Sequence, residues 1–242
     1  MKVIKSYSQI LESIKERVSI MEMALNPDRL ENIKRFKEAG DISNSLKELK
    51  PTLDRIVNIC RDINYDDIVY SYKNDIVKIS FNSIVFVLLA TLKNDLNILG
   101  DEIQQRIFGD GYDDIYLEVE LDKDLLNRID IMNGLPNFMK GIGLGKKIYK
   151  KLIKDFGFIS SFGGYEPSID SSMVWRSIST DSDLFSFTND DNIISFWNDL
   201  NYNTIIEKLK KFYKIKGEIQ LDGDFLKRYS LSEENLIDIL NK

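Results

Sequence analysis

Apolar residues in the first quarter of the chain recur at three- and four-residue steps, which is the helical period. Ser6 and Gln9 form a capping box ahead of Ile10, Ile14, Val18, Met21 and Leu25 on one face. Asn26 followed by Pro27 supplies an N-cap and a first-turn proline, Leu30, Ile33 and Phe36 continue a stripe, and Gly40 ends it. Pro51 then starts a third helix with Leu53, Ile56, Val57, Cys60 and Ile63 inward, so Cys60 reads as core rather than nucleophile.

The period changes near Tyr65. "DIVYSYKNDIVKISF" holds two β-rich runs around Lys73-Asn74-Asp75, a hairpin whose turn residues tolerate left-handed backbone. "SIVFVLLATL" at 83–92 reads as a central strand, and "DDIYLEVEL" at 113–121 as another, with Glu118 and Glu120 alternating with Leu117, Val119 and Leu121. Residues 144–155 form an amphipathic helix with Leu144, Ile148, Leu152 and Ile153 inward and five lysines outward. "GFISS" at 157–161 is a short strand, 162–168 a loop, Ile169–Ile178 a short helix and "DLFSFT" a strand. From Asn192 the pattern is mostly helical, with "GEIQL" as an edge strand.

The expected fold is α+β, a mixed and mostly antiparallel sheet flanked by helices. It divides into an N-terminal helical region (1–63), an α/β core (64–190) and a mostly helical C-terminal extension (191–242).

Composition narrows the chemistry. The chain has 242 residues, 43% of them hydrophobic, enough for a substantial core. Histidine is absent, which removes serine-histidine and cysteine-histidine catalysis and histidine-built metal sites, so no metal is expected. A single cysteine excludes an internal disulfide and fits a reducing cytoplasm. The longest apolar run falls far short of the ~20 residues a spanning helix needs, and "MKVIKSYSQI" lacks a signal-peptide pattern, so the chain reads as soluble and unexported, without a membrane partner. A net charge of −6 opposes general attraction to nucleic acid.

"KGIGLGKKIYKKLI" at 140–153 places glycines at 141, 143 and 145 just ahead of the lysine-rich helix. One reading is a tight turn that starts a helix. A phosphate loop of the G-x-x-x-x-G-K-[ST] kind fits poorly because Lys147 stands where a hydroxyl is needed, and the dinucleotide fingerprint fits poorly because its third glycine comes one place early. The remaining reading is a glycine-opened helix N-terminus that admits a pyrophosphate, such as that of coenzyme A, to its free N–H groups.

These residues resemble the acyl-CoA-binding motif of the GCN5-related N-acetyltransferases (GNAT), Q/R-x-x-G-x-G/A, with Lys140, Gly143 and Gly145 at the patterned positions. The resemblance spans about residues 65–190 and is specific at the loop. Lys140 stands in place of the usual Arg or Gln, keeping the positive charge of Arg but not the planar donors. The strand feeding the loop is either 113–121 or, after the intervening insertion, "RIDIM" at 128–132.

The resemblance implies acetyl-CoA, or another acyl-CoA, held by Lys140, Gly141, Ile142, Gly143, Leu144, Gly145, Lys146 and Lys147. It further implies direct transfer of the acyl group to an amine, with a carboxylate as base and a tyrosine as acid. Glu118 and Glu120 share one strand face and are the candidate bases, or that face is simply solvated; Tyr165 in the following loop is the candidate acid, since Trp175 stands roughly where a tyrosine is sought. Tyr149 reads as a packing residue. The lysines either assist the phosphates or form a solvated face, and no nucleic-acid motif surrounds them. The competing expectation is a noncatalytic structural or interaction protein, for example a viral one. It would keep this scaffold and bind a protein partner through the added helices.

Overall fold

The computed structural model of the protein describes residues 27–80, 85, 88–93, 101–108, 117–161, 169–189 and 192–242. The expected helix over 6–25 lies outside these residues. The chain forms two compact units whose segments interleave: residues 1–63, 80–117 and 133–142 in the first, and 64–79, 118–132 and 143–242 in the second.

In the first unit α1 (Pro27–Glu38) packs against α2 (Ile42–Asp62). Ile33, Leu49, Ile56 and Cys60 are fully buried between their surroundings, and Arg29 Nη1 donates to Thr52 Oγ1 at 2.9 Å. Gly40 ends α1 at φ +67, as its sequence position suggests. The helix expected to begin at Pro51 instead starts nine residues earlier, where the Asp41 side chain accepts from the Asn44 N–H, and Pro51 lies inside it. An effective N-cap and a continuous apolar stripe outweigh the one backbone bond that an interior proline removes.

The expected central strand at 83–92 is also corrected: residues 85 and 88–93 are helical, with Leu88, Leu89 and Leu92 buried. An uninterrupted apolar run carries no period of its own, so a fully buried helix and a fully buried strand read alike. The short helix α3 (Asp101–Phe108) buries Ile107, and a 3₁₀ turn at Asn137–Met139 buries Met139 against α2 and α3.

The second unit is built on a seven-stranded open sheet in the order β1-β2-β3-β4-β5-β7-β6. The strands are β1 (Val69–Lys73), β2 (Ile76–Ser80), β3 (Leu117–Asp122), β4 (Arg128–Asn133), β5 (Phe158–Ser160), β6 (Leu184–Asn189) and β7 (Asn192–Trp197). It is mixed and mostly antiparallel, β4 and β5 forming the parallel pair, and with its flanking helices the class is α+β, as expected. The hairpin turn is Asn74-Asp75, both left-handed at φ 51 and 62.

The helix α4 (Leu144–Phe156) makes the crossover from β4 to β5, and α5 (Ile169–Ser179) follows β5. Strand β7 corrects the helical reading from Asn192 onward. "NIISFW" inserts between β5 and β6 with its central four residues buried, and burial on both faces erases the alternation that marks a strand.

The helices α6 (Tyr202–Lys216), α7 (Gly223–Arg228) and α8 (Glu233–Asn241) close an aromatic core. Phe158, Phe185, Phe187, Phe196, Phe212 and Phe225 meet there, Phe187 and Phe225 edge to face at 5.2 Å. Asp222 caps α7 through the Phe225 N–H at 2.9 Å and also accepts from the Ser186 N–H of β6 at 2.7 Å, tying helix to sheet. The "GEIQL" segment contributes one bridge, Thr188 to Gln220, rather than a strand. Among the described residues no helix is long and apolar enough to cross a membrane.

Candidate functional site

The three glycines of 140–145 are there for different reasons. Gly141 and Gly143 have φ of +74 and +83, and a Cβ added at either would meet no atom within 4 Å, so backbone conformation alone requires glycine. Gly145 has no such φ; a Cβ there would lie 2.8 Å from Cγ2 of Val174, so it is small because α5 presses on α4. The unit boundary falls between Ile142 and Gly143. On the first side, exposed Lys140 closes the 3₁₀ turn by donating its N–H to the Asn137 carbonyl at 3.2 Å, and Ile142 is half-buried.

On the second side Gly143 is the N-cap of α4, left-handed and without a side chain to cap the first amides. The Lys147 N–H is the first of the helix to find a helical carbonyl, that of Gly143 at 3.3 Å. The first turn therefore offers N–H groups that the N-cap residue does not cap, at the positive end of the helix dipole. Leu144 is buried and anchors this end of α4.

The lysine face of α4 is largely neutralised from within. Lys146 Nζ lies 2.8 Å from Asp181, and Lys150 bridges Asp181 at 3.0 Å and Asp183 at 2.7 Å. Lys151 pairs with Asp155 at 2.8 Å and Lys154 with Asp66 at 2.8 Å, and Lys154 also sits over the Tyr65 ring. Burial acts against the charge of Lys150, but its hydrogen bonds to Asp183 and Asp181 outweigh that and raise its pKa above 10.5. Burial likewise acts against ionised Asp181, and the Lys146, Asp183 N–H and Lys150 contacts outweigh it, lowering its pKa below 3.8. Lys147 is half-buried in the first turn.

Tyr149 is buried and meets Trp175 edge to face at 5.1 Å, the packing role its spacing suggests. Burial pushes its hydroxyl up to about 12; a Ser171 hydrogen bond opposes the shift and the charge of Asp130 adds to it. The neutral phenol is thus the form present at ordinary pH.

The strand that leads into residues 134–143 is β4, the second of the two alternatives in the sequence. Its parallel register with β5 pairs Arg128 with Ser160, the first residue of one strand with the last of the other. Beyond Arg128, β4 therefore runs on past the end of β5. The pairing is fastened by the turn before it: Ser160 Oγ donates to the Leu126 carbonyl at 2.9 Å and Asn127 Nδ2 to the Phe158 carbonyl at 2.9 Å.

Glu118 and Glu120 lie on the half-exposed face of β3, opposite buried Leu117, Val119 and Leu121. Glu118 pairs with Lys78 at 3.4 Å, whereas Glu120 has no ion pair among the described residues. Arg128 lies 3.7 Å from Asp122, so by strand alternation Asp130 shares this face, and Arg128 Nε is 2.9 Å from its carboxylate. Asp130 is the carboxylate that sequence reasoning passed over. Its signal was the alternation of Arg128 and Asp130 with Ile129 and Ile131, in the strand directly before the glycines. Tyr165 lies outside the described residues, and among those described no cluster of three or more metal-ligating side chains occurs. Comparison with protein-family models, with curated proteins and with solved structures finds no match to this chain.

Proposed function

We propose that the protein binds an acyl-CoA, acetyl-CoA among them, at the start of α4 and passes the acyl group to an amine. What carries the reading is Gly143: a left-handed N-cap at φ +83, with no side-chain cap of its own on the first-turn amides and, among the described residues, open space where a Cβ would project. Phosphate oxygens fit such a terminus. The main-chain amides, rather than Lys146, do the holding, because Asp181 already engages that ammonium.

When bound, acyl-CoA supplies the activated thioester. A carboxylate of the Glu118, Glu120 and Asp130 face removes a proton from the ammonium acceptor, so that the free amine attacks directly and no nucleophilic side chain is needed. Glu120, without an ion pair among the described residues, is the first choice for that role.

Thermal unfolding of the protein with acetyl-CoA and with CoA tests this, since a ligand of the native state at 100 times its Kd stabilises by about 2.7 kcal/mol. A saturable rise in Tm is expected, lost in Gly143→Asp while the unliganded variant still melts cooperatively. No rise at millimolar ligand overturns the reading. The internal pairing of Lys146 and of Glu118 favours a second reading, a noncatalytic scaffold that assembles with a protein partner. A stable complex or particle formed by a chain that neither binds CoA nor acylates amines would establish it.

A further inference from the structure

An open cleft of about 180 Å³ lies where the β3–β4 turn and the start of β5 meet α6. It borders the turn before β4 and the first residue of β5, whereas α4 starts after the last residue of β4, so the two places belong to opposite ends of β4. Lys123, Lys208, Lys211 and Lys214 line it, with Asp124 the one acidic lining residue among those described. Its floor is apolar: Leu126 and Phe158 are buried, and Ile215, 54% exposed, stands at its rim.

Four lysines line one cleft in a protein whose net charge is −6. The fold has little to gain from that, because like charges in one cleft repel. The internal compensation is partial. Glu207 lies 3.1 Å from Lys208 and 3.7 Å from Lys211, and Lys123 sits over the Tyr72 ring at 4.4 Å. Lys214 has no ion pair among the described residues. With Asp124 and Glu207 both counted against the four lysines, the cleft keeps an excess of two positive charges.

On α6 the lysines at 208, 211 and 214 follow three-residue steps over about 9 Å of helix axis, which suits an anion with several charged groups in a row rather than a single ion. Lysines give rotatable point charges without the planar fork that selects carboxylates pairwise, and phosphate groups accept from them in any orientation. The volume limits the occupant to a small molecule.

We infer that this cleft is a binding site for a small polyphosphate or phosphate-ester anion, held by Lys123, Lys208, Lys211 and Lys214 and independent of the start of α4. The site needs no metal and no acyl chemistry, and it stands whether or not the protein binds CoA.

Calorimetric titration of the full chain with sodium tripolyphosphate tests it, alongside Lys211→Gln/Lys214→Gln and Gly143→Asp. Both lysines are on the surface, so the double variant is expected to melt as the parent does without ligand. Saturable binding is expected, weakened about tenfold or more by the lysine pair, unchanged by Gly143→Asp, and falling as salt rises. No binding, binding equal in the lysine variant, or binding lost in Gly143→Asp overturns the inference. So does tight binding of a single-stranded oligonucleotide without tripolyphosphate binding, which would make the cleft part of a nucleic-acid surface. A circular-dichroism match between parent and lysine variant keeps loss of binding distinct from loss of fold.

Discussion

The two halves of the sheet are built from opposite strand patterns. In β3, "LEVELD" alternates buried and half-exposed residues, so one face joins the core and the other carries Glu118, Glu120 and Asp122. In β6 and β7, "LFSFTN" and "NIISFW" each bury four consecutive residues, because α4 and α5 cover one face and the aromatic cluster of α6–α8 the other. Buried serines in that half are hydrogen-bonded, Ser186 Oγ to Ser195 Oγ at 2.8 Å, as a dry site demands. Two-sided burial is thus found in the β5–β7–β6 half, whereas β3 keeps one half-exposed face that carries ionisable groups.

The largest effect that would test this division is a cavity in the aromatic core. Phe187→Ala should cost about 3–5 kcal/mol in urea unfolding, because Phe187 is fully buried among rigid rings. A loss below 1 kcal/mol would mean that the core does not hold the sheet. Next comes the α4–α5 contact. Gly145→Val should cost about 1–3 kcal/mol by overpacking against Val174, and Val174→Ala should restore part of that loss in the double variant.

Asp181→Asn should cost about 1.5 kcal/mol near neutral pH, the low end for hydrogen bonds to charged groups. Asp181 has a folded pKa below its unfolded 3.8, so its contribution is present above that pH and is lost as pH falls through the folded value. Lys150 has a folded pKa above 10.5, so its contribution is present below that pH and is lost as pH rises through the folded value. The Tm gap between parent and variant should therefore hold across the neutral range and close below pH 3.8 and above 10.5. The smallest stability effect belongs to the polar face: Glu120→Gln should stay within about 0.5 kcal/mol, while lowering acyl transfer if that carboxylate is the base.

Elements with one solvated face were legible from sequence alone. The α4 helix, the Asn74-Asp75 hairpin and β3 all kept their expected registers, because one-sided burial writes a period into the chain. Runs with no regular alternation of apolar and polar positions were not. "SIVFVLLATL" reads as strand yet its described residues are helical, and "NIISFW" reads as helical tail yet is a strand. In both, the period that separates helix from strand is not written in the sequence: the first is an uninterrupted apolar run, and the second buries four consecutive residues.

Gly141 and Gly143 are likewise fixed by sequence: only glycine takes their positive φ without strain, so a glycine-opened helix start is legible in the chain itself. Long-range packing decided the rest. It made Gly145 a contact residue for Val174, gave Lys146 and Lys150 to Asp181, brought Asp130 onto the face of Glu118 and Glu120, and gathered Lys123 with three lysines of α6. Backbone conformation and periodicity are properties of a few adjacent residues, whereas the partner of a charge depends on segments that meet only when the whole sheet has closed on its helices.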